Sequence, residues 1–233
     1  FASAFSVFTP VFAIVVSGIP STMARLTAEN YALERFSNMR HTKRTAFLLF
    51  TVISTAAAAV MILSSNILSY HVIGEPNTKY ALMCVAPSII FCTIMSVERG
   101  YCEGLQNMIP TAVSEVIETL FKLILGLGFA YGIMYHISDM YDKTGMIFGT
   151  AYENSRQAAS AALPFIAAAA ILGSSIASAI ACLYILISGK IKGDSVTMQM
   201  LQRDTITDPT GATAKKLVAC CLPIALISVI MTF

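Results

Sequence analysis

The chain has 233 residues, of which 56% are apolar and only 12% charged, against roughly a quarter charged in a soluble globular domain. Its 15 Lys/Arg and 13 Asp/Glu leave a formal net charge of +2, too small to draw nucleic acid or an acidic partner. Charges this sparse exclude a cytosolic enzyme and a basic nucleic-acid binder, and the mean hydropathy of +0.73 points to a membrane protein.

A helical span needs about 20 apolar residues, and charge-free stretches mark where the spans lie. The first predicted element covers about 1–20, within an uncharged run that continues to Ala24. The second covers 45–70, where only His71 follows at the edge, and the third 79–97. A fourth, 111–135, is interrupted by Glu115, Glu118 and Lys122. The fifth, 157–188, is uncharged and rich in Ala and Ser, and a last apolar run opens at 215 and continues to Phe233. Barrel strands would be shorter and would alternate polar with apolar, so these are helices. The fold class expected is all-α, a polytopic transmembrane helical bundle.

The connecting segments carry five, one, one, two and five Lys/Arg in chain order. Both rich segments fall on one side, which the positive-inside rule assigns to the cytoplasm. Phe1 then lies outside, and no basic segment precedes the first apolar run as a cleavable signal requires. The expectation is a piece of a longer chain, with an earlier span before Phe1. The segment 190–214 is the longest polar stretch, and its Gly, Asp, Pro and Thr content suggests a linker between two bundles. Residues 1–189 then form one lobe lacking its first helix, and 215–233 start a second.

Ionisable groups inside a span are costly and mark function by default. Glu115, Glu118 and Lys122 share one helical face, and Glu118 and Lys122 are an i, i+4 pair in the favourable order. Glu115 is close enough to Pro110 to reach water. Glu118 and Lys122 lie about 12 and 18 Å beyond Pro110 along a helix axis, which favours a cavity-facing role for the pair. Arg25, just past Gly18-Ile19-Pro20, is either an anchor at a helix end or a cation at the mouth of a cavity, able to bind phosphate. The six Cys and three His are dispersed without metal-ligand spacing. No Ser/His/Asp arrangement or carboxylate pair suggests an enzyme, so no catalytic residue, metal or cofactor is expected. Gly126, Gly128 and Gly132 suit close helix packing on the fourth span.

Three strings are familiar. The run SGIPSTMARLTAENYAL at 17–33 resembles the Gly-(Ile/Leu)-Pro-x-x-x-(Ser/Ala)-(Lys/Arg)-Leu-x-Ala-Glu signature of stage V sporulation protein B-like transporters. The run RGYCEGLQNMIPTAVSEVIETLFKLILGLGFA at 99–130 resembles the stretch joining the fourth and fifth helices of that family, and KKLVACCLPIALISV at 215–229 the start of its seventh. Cys102 and Glu103 depart from the usual Phe-Gln, and Lys122 stands where Arg is usual. The family lies in the multidrug/oligosaccharidyl-lipid/polysaccharide exporter superfamily, in the branch that holds the lipid II flippases. The resemblance implies a two-lobed exporter of the bacterial cytoplasmic membrane, involved in cell-wall or spore-envelope synthesis. Its substrate would be a lipid-linked sugar pyrophosphate, with membrane lipids around it and Na+ or H+ as coupling ion. Arg25, Glu118 and Lys122 become the expected substrate-binding residues. The rivals are a multidrug or cation antiporter of the same superfamily and a non-transporting component of an envelope-synthesis complex.

Overall fold

A computed structural model describes residues 9, 12–67, 78–144, 146–147, 150–151, 155–192 and 207–232. Residues 12–16 are helical and turn at Ser17-Gly18 into α1 (Ile19–Ala32), with Pro20 in its first turn, where the missing N–H costs nothing. There follow α2 (Phe36–Ile67), α3 (Thr78–Gly104), α4 (Ile109–Thr144), α5 (Ser155–Lys192) and α6 (Thr210–Thr232). Between α4 and α5, β1 (Met146–Ile147) and β2 (Thr150–Ala151) pair antiparallel over two residues each. The molecule is otherwise an all-α bundle. Five helices among the described residues are long and apolar enough to cross a membrane, as a multi-pass membrane protein requires. Half of the predicted span at 1–20, the connection at 71–77 and most of the predicted linker (193–206) fall outside the described residues.

The helices run past the charge-free stretches. Absence of charge marks the part that sits in hydrocarbon, whereas backbone hydrogen bonding carries the helix on into the polar zone. Thus α2 starts at Phe36 rather than near residue 45, and α3 continues through Glu98 and Arg99 to Gly104. Helix α6 starts at Thr210, directly after Pro209, whose carbonyl accepts hydrogen bonds from Ala212 (2.9 Å) and Thr213 (3.1 Å).

Two sharp corners share one device. After α1, the Arg35 N–H donates to the Asn30 carbonyl (2.8 Å) and the Glu34 N–H to that of Tyr31 (3.1 Å), with Glu34 at φ 56°. After α3, the Asn107 N–H donates to Cys102 (3.0 Å) and the Gln106 N–H to Glu103 (2.9 Å), with Gln106 at φ 60°. This is the left-handed helix cap that glycine usually supplies. The corner after α1 is closed further by the edge-to-face contact of Tyr31 with Phe36, ring centroids 5.8 Å apart.

Helix α3 is the axis of the bundle, packed on α1, α2 and α5. Its Leu82, Ala86 and Ile89 are fully buried beside Ile171 and Ile185 of α5, and its Val97 and Tyr101 beside Ile19 and Met23 of α1. Ser175 of α5 donates to the Cys84 carbonyl of α3 (2.7 Å), an interhelical hydrogen bond of the kind that joins helices in lipid. Helix α4 packs chiefly on α5 and touches α3 little.

Of the three α4 glycines the close approach lies at Gly126 alone: a Cβ added to Gly173 of α5 would lie 2.9 Å from the Gly126 nitrogen, while Gly128 and Gly132 have no atom within 4 Å of an added Cβ. Gly100 and Gly104, four residues apart on α3, make a second tight crossing, on α1. A Cβ on Gly100 would strike the Pro20 carbonyl oxygen and lie 2.7 Å from the Met23 Cβ. Neither can move without shifting α1. Gly100→Ala is expected to cost about 1–3 kcal/mol, read as a lower melting temperature of the purified protein in detergent. Gly128→Ala, with open space around it, is expected to be neutral or to stabilise by up to about 1 kcal/mol.

Candidate functional site

Glu118 lies nine positions into α4 after Ile109, about 14 Å along the axis, and its side chain is 11% exposed. A lone carboxylate inside a membrane-crossing helix is costly. Here it is surrounded by donors from three helices. Arg99 of α3 donates through Nη2 to Oε2 at 2.9 Å. Lys122, one turn further along α4, donates through Nζ to Oε1 at 2.7 Å. Ser178 of α5 donates to the same Oε1 at 3.3 Å. Arg99 is fixed in turn by its Nε, which donates to Ser114 (2.9 Å), whose hydroxyl donates to the Thr111 carbonyl (2.8 Å). Glu115, largely exposed, lies 3.9 Å from Arg99 Nη1 on the outer side.

The two cations differ. Arg99 is 15% exposed and has its guanidinium committed to Ser114 and Glu118, so it braces α4 against α3. Lys122 is 41% exposed, and an ammonium has three donors, of which Glu118 takes one. Lys122 is therefore the cation that can still meet a ligand.

Of the residues singled out from sequence, the structure brings Glu118 and Lys122 together. Arg25 stands exposed on α1 and makes no ion pair with either of them. Arg99, which falls outside the charge-free runs, is the site residue that their pattern misses.

A second charged layer lies at the same end of the bundle. Lys43 of α2 pairs with Glu98 of α3 at 2.8 Å and sits 4.2 Å over the Tyr101 ring. Asp208, just before α6, pairs with Arg35 at 2.9 Å. These contacts gather the ends of α1 and α3 and the starts of α2 and α6 at one end of the bundle, rich in Lys and Arg. The Arg35 hydrogen bond holds the Asp208 carboxyl below its ordinary range. The contact is thus complete at neutral and mildly acidic pH, and its contribution is lost only as pH falls through that lowered value.

Two curated relatives fall in the branch that the motifs resemble. The chain is 26% identical over 123 residues to Stage V sporulation protein B of Bacillus subtilis (strain 168), a match covering 51% of this chain and 24% of the relative. It is 22% identical over 135 residues to Lipid II flippase MurJ of the same organism, covering 54% of this chain and 25% of that protein. The matched part thus spans about a quarter of the length of either relative. No family model and no solved structure matches.

Proposed function

We propose that this chain forms most of the first lobe of a two-lobed transporter that flips a lipid-linked sugar pyrophosphate from the inner to the outer leaflet. The lobes rock about a central cleft by alternating access. The linker lies within 190–214, between α5 and α6, and the second lobe starts with α6. The observation that carries the proposal is Lys122, a half-exposed cation held deep on a membrane helix by a buried counter-ion. A pyrophosphate head group needs fixed cations in a hydrated cleft, whereas its polyprenyl tail stays in lipid. Arg25, exposed at the cytoplasmic end of the same lobe, is the second candidate for that head group. The similarity to a protein named as a lipid II flippase supports the same substrate class.

The buried cluster also weighs against the antiporter alternative. A carboxylate that carries Na+ or H+ needs free acceptor positions during the cycle. Glu118 already accepts from Arg99, Lys122 and Ser178, which suits a fixed counter-ion better than a carrier.

The test is complementation. The full-length protein, expressed in a strain depleted of its own lipid II flippase, is expected to restore growth and translocation of the lipid-linked precursor. Failure to do so, combined with export of organic cations from the same cells, would overturn the proposal in favour of the antiporter.

A further inference from the structure

Asp208 is bound by Arg35 and Asn38, both far from it in sequence, and lies beside Lys216 near the start of α6. Its Oδ1 accepts from Arg35 Nη2 at 2.9 Å, and its Oδ2 accepts from Asn38 Nδ2 at 3.3 Å, with Lys216 Nζ 3.5 Å away. Its backbone N–H donates to the Asn38 side-chain oxygen at 2.9 Å. Asn38 therefore reads the main chain and the carboxylate of one residue at once. Behind it, Asn38 Nδ2 also donates to Asn30 Oδ1 (2.8 Å), and Asn30 Nδ2 to the Leu26 carbonyl (2.7 Å). His41 Nε2 meets the Thr210 hydroxyl at 3.3 Å.

Asn30 and Asn38 are both buried, and buried amides are costly unless bonded. Within this network the Asn38 oxygen has its partner only while Asp208 is seated. Withdrawal of Asp208 would leave that oxygen and the Arg35 guanidinium to be solvated by incoming water. Below Asp208 the seam is apolar and tight. Leu217 is fully buried with Met39 and Phe50, and the Cys221 carbonyl lies so near Gly18 that an added Cβ would be 2.8 Å away.

We infer that Asp208, with Arg35 and Asn38, is a latch that docks the start of α6 onto the corner between α1 and α2. If the transport proposal above holds, the latch keeps the junction of the two lobes closed at the cytoplasmic end and must release when that end opens. The corner that receives Asp208 is the one built on the left-handed Glu34, which turns Arg35 and Asn38 toward α6 rather than along the axis of α1.

The test is amide hydrogen exchange on the full-length protein in nanodiscs, comparing Asp208→Asn, Arg35→Gln and the double variant. Loss of a charge-assisted hydrogen bond should speed exchange in residues 207–216 by about tenfold or more in each single variant. The double variant should exchange no faster than the singles, because all three break one contact. Exchange in α5 should not change, which separates release of the latch from general unfolding. Unaltered exchange in both single variants, or additive acceleration in the double, would overturn the latch. Translocation is measured in parallel. Faster exchange in Asp208→Asn with an unchanged translocation rate would overturn the closing role. Absence of translocation by the unaltered protein would defeat the transport proposal, while the exchange result would still decide the docking.

Discussion

Replacing Lys122 by Met is expected to slow translocation of a lipid-linked sugar pyrophosphate by at least about tenfold, or 1.4 kcal/mol. The measurement uses full-length protein reconstituted in liposomes. The argument rests on what the substitution removes and what it leaves. Glu118 keeps Arg99 at 2.9 Å and Ser178 at 3.3 Å, so the carboxylate is not orphaned. Lys122 is also far more exposed than Glu118 or Arg99, and loss of its pair should lower stability by no more than about 1 kcal/mol. A large loss of transport with a small loss of stability is the signature of a ligand-facing cation. Lys122→Arg keeps the charge and should recover most of the rate. Equal rates for the Met variant and the unaltered protein would remove Lys122 from the mechanism.

Glu118→Gln should do the reverse, harming the fold first. Removing one partner of a buried ion pair leaves the other charge without compensation, at a cost of about 3–5 kcal/mol. Arg99, 15% exposed, would retain only the Ser114 hydroxyl and the more distant Glu115. The lower end of that range is expected because the glutamine oxygen still accepts one hydrogen bond. Thermal unfolding in detergent would show the loss, and the double variant Arg99→Met/Glu118→Gln should recover part of it, since the stranded charge is gone. If Glu118→Gln were as stable as the parent protein, the carboxylate would not be the counter-ion that holds α3 and α4 together.

The positions of α2 to α6 could be read from charge-free runs because lipid excludes charge over a fixed depth. The ends of those helices could not, because the same rule is silent where lipid gives way to water. Arg99 was lost in that gap. The signal that α3 continues was nonetheless present: Gly100 and Gly104 are spaced for a helix crossing, and no chain reversal comes until Gln106-Asn107. The Glu118–Lys122 pair was legible because both members sit on one helix at i, i+4. Arg35 and Asp208, separated by 173 positions, share no periodicity that a single sequence can display. Glycine content alone also misled, since Gly128 and Gly132 resemble Gly100 in composition and differ only in what faces them.

Glu98 and Arg99 are consecutive residues of opposite sign on α3, and they are tied to different neighbours. Glu98 is held by Lys43 of α2, and Arg99 by Glu118 of α4. Side chains one position apart on a helix diverge by about 100°, so the two ion pairs grip α3 from different sides, much as two stays fix a mast. A turn of α3 about its own axis lengthens one stay as it slackens the other. The helix can therefore tilt or slide with its neighbours but resists spinning among them.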